Sequence, residues 1–299
     1  MTDNLSFQSL WIPLNARDKL HLMRVGNNPQ GPVVFMLHGS IASGRAFYTL
    51  NGKGLAPYLA RAGYDVYVAD LRGRGLSTPT IGRHSDFGQT QVITEEIPAF
   101  LAKIEELRGT VAQHWIGHSW GALLLYAYLA RFSAQRERLR SLICFGTKRR
   151  IRVFNWEKFW KVNFFWLGLG SLLTRIFGYF PAKIFMPGAD NETRKSHAQS
   201  IPWLKEETWV DPEDGFPYGE AIRNIELPPT LHLTGAHDHA LGHARDVSDF
   251  LHEIGAQHAE FRLIGRAQGY RHNYNHLNIL THPDAVLDHF PLVLQWLEK

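Results

Sequence analysis

A serine in the middle of Gly117-His118-Ser119-Trp120-Gly121 has the setting of a catalytic nucleophile. An apolar run at residues 111–116 precedes it, and a helical pattern at residues 122–131 follows it. A serine at such a strand-to-helix turn projects its hydroxyl, and the flanking glycines leave room where strand and helix come close. The pattern predicts that Ser119 attacks an acyl carbon.

An acid must orient the base that activates such a serine. Asp238 ends the sequence Gly235-Ala-His-Asp238, directly after an apolar run at residues 231–234. This position at a strand end predicts that Asp238 is the acid of a triad. It would also suit an aspartate that caps the following helix.

The base is expected in the loop between residues 265 and 283, which offers His272, His276 and His282. Arg271 stands beside His272, and His282 falls in what reads as the opening of the last helix. We therefore predict that His276 takes the proton from the serine.

Acyl transfer also needs N–H donors for the oxyanion that develops on the substrate. The backbone N–H of Trp120, directly after the nucleophile, is one predicted donor. The second is expected from the loop after His38-Gly39, at Ser40 or Ile41, with Ser40 preferred.

The elements that must position these residues are short apolar runs that end at Gly or Asp. They are residues 33–37, 65–69, 111–116, 142–145, 231–234 and 260–264. Helical patterns separate them, which is typical of buried parallel strands, and such sheets bind ligands at the carboxyl ends of the strands. The sequence therefore predicts an α/β fold, with a mostly parallel sheet flanked by helices.

Residues 146–225 interrupt this rhythm and are predicted to form an inserted helical cap, with residues 1–145 and 226–299 as the core. Aromatic residues crowd the stretch 154–166. Some are expected to line the substrate pocket, although packing onto the core is the alternative interpretation. The predicted substrate contacts are Trp120, Phe159, Phe165 and Trp166. The interspersed Lys158 and Lys161 also suit a cap that rests on a membrane surface.

Composition excludes several classes of protein. The 299 residues carry a net charge of only +4, and the scattered basic residues predict no nucleic-acid partner. The one cluster, at residues 148–152, is interpreted as a solvated loop. The single cysteine, Cys144, and a start without a leader pattern predict a cytoplasmic location. The apolar stretch 162–173 is shorter than the roughly 20 residues of a membrane span.

Four segments resemble the α/β-hydrolase-fold serine hydrolases: His38-Gly39-Ser40, residues 70–77, residues 117–121, and the loops that carry Asp238 and His276. The resemblance runs from about residue 20 to the C-terminus. It implies that residues 70–77 shape the site without reacting. The sequence Tyr274-Asn-His-Leu277 is similar to the histidine loop of acid-lipase relatives, which favours lipid-like esters.

The predicted activity is hydrolysis of an ester, or a related acyl bond, of a hydrophobic small molecule. No cofactor is implied, and no metal is expected, because the spacing of His237, His239 and His243 matches no zinc signature. Thioesterase, amidase, lactonase and acyltransferase remain alternatives on the same triad. A non-catalytic ligand-binding protein of the same fold is the alternative of another class.

Overall fold

The computed structural model describes residues 5–186, 188–256 and 258–299. Its strands within these ranges are β1 (Phe7–Pro13), β2 (Lys19–Val25), β3 (Val33–Leu37), β4 (Asp65–Asp70), β5 (Gln113–His118), β6 (Leu139–Phe145), β7 (Tyr179–Phe180), β8 (Glu192–Thr193), β9 (Thr230–Gly235) and β10 (Glu260–Ile264).

One eight-stranded sheet has the order β1-β2-β4-β3-β5-β6-β9-β10. Strands β3 to β6, β9 and β10 pair in parallel, whereas β2 is antiparallel to both β1 and β4. The mostly parallel sheet predicted from the sequence is confirmed. The hairpin of β1 and β2 was not predicted, and β5 begins two residues later than the apolar run suggested.

The helices are α1 (Leu55–Arg61), α2 (Gln89–Gln91), α3 (Ile97–Arg108), α4 (Trp120–Arg131), α5 (Trp156–Lys158), α6 (Ser171–Phe177), α7 (Ala182–Phe185), α8 (Arg194–Lys205), α9 (Tyr218–Arg223), α10 (Ala244–Glu253), α11 (Asn278–Thr281), α12 (Ala285–Asp288) and α13 (Phe290–Leu297). Residues Val92–Glu96 and Phe159–Gly170 are π-helical. None of the described helices is both long and apolar enough to cross a bilayer.

Two apolar clusters cover the two faces of the sheet. Successive residues of a strand point to opposite faces, and Phe35 of β3 therefore packs against Phe100 of α3, with ring centroids 6.0 Å apart. Its neighbour Met36 belongs to the other cluster, which contains Leu59 of α1 and Val293 of α13. Helices therefore cover both faces of the sheet.

The chain leaves the sheet at the end of β6 and returns at β9, the strand beside it. Helices α5 to α9 and the longer π-helical segment occupy this excursion, which contains the segment predicted as the cap. It also holds the antiparallel pair of β7 and β8, which was not predicted. The excursion begins at the carboxyl end of β6, and we call residues 146–225 within it the cap region.

Candidate active site

Ser119 sits between β5 and α4 in a backbone conformation that L residues rarely adopt, with φ of 52°. The turn is tight because the start of α4 packs closely against both β5 and the end of β3. A Cβ on Gly121 would lie 2.3 Å from the carbonyl oxygen of His38, and one on Gly117 would lie 2.4 Å from Cα of Ala122. Only glycine fits at either position, and the serine side chain is left at the apex.

A continuous hydrogen-bond chain joins the three residues predicted as a triad. Ser119 Oγ lies 2.8 Å from Nε2 of His276, and Nδ1 of His276 lies 2.5 Å from Oδ2 of Asp238. Since a carboxylate only accepts, Nδ1 donates to it and Nε2 is free to accept the serine hydroxyl. His276 is in the tautomer that a general base requires.

The surroundings of Asp238 keep it ionised. Burial alone would raise its pKa, but the attraction and hydrogen bond of His276, the charge of Lys148 and a hydrogen bond from the N–H of Gly242 outweigh burial, and the pKa lies below its ordinary value. The N–H of Gly242 donates to Oδ1 over 2.9 Å. Oδ2 is thereby left to hold the histidine.

The loop predicted to supply an oxyanion donor lies directly against Ser119. A Cβ on Gly39 would lie 3.1 Å from Cβ of Ser119. Gly39 therefore packs against Ser119, and Ser40 is the next residue in the chain. The next residue, Ile41, has φ of 48°. Ile41 and Ser119 are the described non-glycine residues with positive φ, and strain of this kind clusters at functional sites. Trp120 begins α4, where N–H groups lack intrahelical partners.

His118 also belongs to the site, although the sequence analysis assigned it no role. Its Nε2 donates to the backbone carbonyl of His276 over 2.9 Å, and the two rings are 4.8 Å apart. Burial, with the neighbouring His276, lowers the pKa of His118 to about 3. A neutral imidazole therefore holds the backbone of His276 in place. In the sequence, the position of His118 inside the Gly117–Gly121 motif could have indicated that it lies at the site.

The interpretation of residues 148–152 as a solvated loop is wrong for its first two members. Lys148 and Arg149 are buried. The Lys148 ammonium lies 6.0 Å from the centroid of the Trp120 ring, and burial lowers its pKa to about 8 against the attraction of Asp238 and Asp246. A buried cation thus stands beside the acid of the hydrogen-bond chain.

The four predicted substrate contacts occupy different surroundings. Trp120 is buried and stacks on Trp203, with its Nε1 unpartnered among the described residues. Phe159 is exposed, while Phe165 and Trp166 pack edge-to-face on Phe180. Within the described chain, no hydrogen bond or ring contact joins Phe159, Phe165 or Trp166 to the triad. Their role in substrate binding stays a prediction.

The alternative histidines of the same loop are engaged elsewhere. Nε2 of His272 lies 2.7 Å from Asp284, and the rings of His272 and His282 are 4.4 Å apart. These three residues are also the described group whose ligand atoms come close enough to hold a metal ion. Only His276 of this loop contacts Ser119.

Residues 70–77 connect the site to the rest of the fold through buried polar contacts. Asp70 accepts from the N–H of Gly44 over 2.7 Å and from His21 over 2.8 Å. Arg72 pairs with Glu95 and Glu96. Arg74 is hydrogen-bonded to Glu192 of β8. These contacts tie the segment to the core and to the cap region.

The chain is similar to known hydrolases in sequence and in fold. A family model described as alpha/beta hydrolase fold matches residues 32–264. Lipase lipl-3 from Caenorhabditis elegans is 29% identical over 139 residues, which are 42% of this chain and 34% of the lipase. Gastric triacylglycerol lipase from Homo sapiens is 32% identical over 106 residues, 33% of this chain and 27% of the lipase.

Solved structures match a larger share of this chain than the curated lipases do. An esterase from Thermogutta terrifontis superposes with a TM-score of 0.63 at 16% identity, covering 97% of this chain and 98% of the esterase. By contrast, the matched segments span about a third of the length of the curated lipases.

Proposed function

This chain belongs to the α/β-hydrolase family, and from that membership we propose that it is a serine hydrolase that cleaves an ester of a hydrophobic small molecule. The observation that carries the proposal is the hydrogen-bond chain from Ser119 through His276 to Asp238. A nucleophile, a base in the required tautomer and an ionised acid are what acyl transfer needs.

In the first half-reaction, Ser119 Oγ attacks the carbonyl carbon of the ester while its proton moves to Nε2 of His276. Asp238 stabilises the imidazolium that forms. The carbonyl oxygen becomes an oxyanion, which accepts hydrogen bonds from the backbone N–H groups of Trp120 and Ser40. The C–O bond then breaks, and His276 returns the proton to the leaving alcohol.

In the second half-reaction, water takes the place of the alcohol. His276 removes a proton from the water, whose oxygen attacks the acyl carbon. The bond to Ser119 breaks, and the serine recovers its proton from the histidine. An acid and an alcohol are the products, and the chain returns to its starting state.

A hydrophobic substrate is supported by the names of the relatives, which include a triacylglycerol lipase. The aromatic residues of the cap region favour the same class. Each methylene removed from water contributes about 0.8 kcal/mol. We therefore expect medium-chain or aromatic esters to be turned over with higher kcat/KM than acetates.

The cap region also presents an aromatic face that we define as Trp156, Phe159, Trp160 and Phe164. All four side chains are exposed, and they contact one another at ring-centroid distances of 5.0 to 5.7 Å. Lys158 and Lys161 lie among them in the sequence. Exposed aromatic rings beside lysines suit the interface of a lipid bilayer. We propose that this face contacts a membrane surface.

The test of the proposed reaction combines covalent labelling with an ester series. A fluorophosphonate probe is expected to label the wild-type chain and not a folded Ser119→Ala variant. The same variant is expected to lose turnover of p-nitrophenyl esters by several orders of magnitude, because only substrate binding and the oxyanion donors remain. Acetate, butyrate and octanoate esters, with a thioester and an amide, then define the substrate.

Two results would contradict the proposal. Labelling that persists in Ser119→Ala places the nucleophile elsewhere. A wild-type chain that binds octanoyl esters without turning over any ester, thioester or amide is a ligand-binding member of the fold. A flat trend in kcat/KM from two to eight carbons, with Ser119 labelled, would leave the reaction standing and remove the preference for hydrophobic esters.

A further inference from the structure

A cavity of about 300 Å³ lies within the cap region, between the loop that follows β6, the π-helical segment and the end of α8, and its lining contains none of the predicted triad residues. Val162 from the π-helical segment and Leu204 from α8 contribute apolar walls. Its volume is at the lower end of the roughly 300–1,000 Å³ in which proteins hold organic ligands. The cavity is therefore large enough for a short alkyl chain.

Four cations line the same cavity: Arg150, Arg152, Lys158 and Lys205. None of its described lining residues is acidic. A cavity with apolar walls and a group of cations on its lining matches a ligand that is apolar along its length and anionic at its end.

The acidic residues nearby leave much of this positive charge uncompensated. Glu207 lies 3.5 Å from Arg150 and 3.6 Å from Arg152, but it is exposed and serves both. Glu253 lies 3.7 Å from Arg150 and makes its closer hydrogen bond to buried Arg149. Lys158 and Lys205 have no ion pair in the part of the chain that the structure describes.

We propose that this cavity binds an amphiphile with one medium-length alkyl chain and an anionic head group, a carboxylate or a phosphate. Guanidinium groups match both anions through paired N–H donors, and the lysines add charge. The alkyl chain packs on Val162 and Leu204 and leaves water, which is favourable. Its lining includes neither Ser119 nor any of the predicted substrate contacts.

The test is binding of four octyl compounds to the full chain by titration calorimetry at low ionic strength. Octanoate and octyl phosphate represent a free fatty acid and a phosphorylated lipid, and they differ only in the head group. Octanol and octyltrimethylammonium keep the chain and remove or invert the charge. We expect at least one of the two anions to bind at one site per chain, about tenfold or more tightly than octanol.

Variants locate the site. Lys158→Gln with Lys205→Gln is expected to weaken binding of the anion about tenfold, and salt is expected to do the same. Val162→Trp fills the cavity and is expected to abolish binding. The matched control is Lys19→Gln with Lys53→Gln, which removes two exposed lysines of the core and is expected to leave the affinity unchanged.

Three outcomes would overturn the inference: absence of saturable binding by either anion, octanol binding as tightly as both anions, or unchanged affinity in both the lysine variant and folded Val162→Trp. None of the probes contains the carboxylic ester, thioester or amide bond that the proposed reaction cleaves. A chain that failed to cleave esters would thus contradict the proposed function and leave this inference intact, and the reverse also holds.

Discussion

The positive φ of Ser119 is enforced by the close packing of the residues around it. Its N–H donates to the carbonyl of Phe145 over 2.7 Å, which fixes the turn to the end of β6. Strain at a non-glycine residue costs on the order of 1–3 kcal/mol and persists only where surrounding structure enforces it. The approach of α4 to the end of β3 provides that enforcement, and the hydroxyl points at His276 as a result.

Gly242 is a position where one added methyl group should damage the proposed reaction. A Cβ there would lie 2.4 Å from Oδ2 of Asp238, so Gly242→Ala must displace the carboxylate or its loop. A misplacement of about 1 Å in catalytic geometry costs roughly 10²-fold in rate. We expect kcat for a p-nitrophenyl ester to fall by about that factor, with KM little changed.

The control for this variant is Gly82→Ala, because a Cβ on Gly82 meets no atom within 4 Å. It is expected to keep wild-type kcat and stability. Circular dichroism should show that Gly242→Ala is folded. A folded Gly242→Ala chain with wild-type kcat would mean that the position of Asp238 does not limit the rate.

Some residues at the site could be found from sequence, and others could not. The Gly117–Gly121 motif predicts Ser119 as the nucleophile because a serine between two glycines at a strand-to-helix turn is a local pattern. Lys148 and Arg149 were misread because clustered charges are usually solvated. Arg149 is instead buried against Glu253 and the carbonyls of Trp203, Glu206 and Glu207, which lie at the end of α8. Partners more than 50 residues away do not appear in a local pattern.

Elements with continuous apolar runs were predictable, and the edge of the sheet was not. Strands β3 to β6 are buried on both faces and read as apolar runs. In β1, buried Ile12 lies between exposed Trp11 and Pro13, and Gln8 and Ser9 are exposed as well, while β2 pairs with β1 in an antiparallel hairpin. A search for apolar runs that end at glycine misses such a hairpin.

The aromatic face makes the membrane proposal testable at the scale of one element. Trp156, Trp160 and Phe164 are spaced four residues apart along the cap helices and are 73%, 44% and 49% exposed. Replacing all three by alanine is expected to weaken binding to phosphatidylcholine–phosphatidylglycerol vesicles by about tenfold or more, because three apolar side chains no longer enter the interface. Co-sedimentation measures the bound fraction.

The matched control for the aromatic face is Trp11→Ala with Leu50→Ala, which removes two exposed apolar side chains from the core. It is expected to bind vesicles like the wild type. Turnover of a short soluble ester should be unchanged in both variants, since no described ring contact joins the aromatic face to the triad. Equal vesicle binding by all three chains would contradict the proposed contact.

At the scale of the whole molecule, buried polar contacts join the core to the cap region. The N–H of Gly75 donates to Asp190 over 2.7 Å, and Thr90 Oγ1 donates to Asp211 over 2.7 Å. These partners are 115 and 121 residues apart in sequence. The six parallel strands could be predicted from local patterns, but contacts between residues so far apart in sequence are seen only in the folded chain.

The same burial makes the whole fold sensitive to acid. Burial is the main cause that lowers the pKa of six described histidines, to about 4 for His38, His114 and His289, to about 3 for His118 and His232, and below its ordinary value for His197. An ordinary histidine has a pKa of about 6.5. Below that pH the unfolded chain takes up protons that the folded chain refuses, and the free energy of unfolding falls. Glu96 opposes this trend, because burial raises its pKa to about 7.

Six buried histidines lower the stability as the pH falls, and together they outweigh the opposite effect of Glu96. We therefore expect stability to be lost progressively as the pH falls from about 6.5 towards 4. Each unit of pKa shift is worth about 1.4 kcal/mol, and each kcal/mol moves Tm by roughly 2–4 °C in a chain of this size. Thermal melts followed by circular dichroism should show Tm falling by about 10 °C or more between pH 7 and pH 5.

His114→Asn removes one titrating group while an amide can still bond to Ser141, and it should flatten the dependence of unfolding free energy on pH. Exposed His258→Asn should leave that slope unchanged. A Tm that stays constant across this range would mean that the buried histidines are protonated as readily in the folded chain as in the unfolded one.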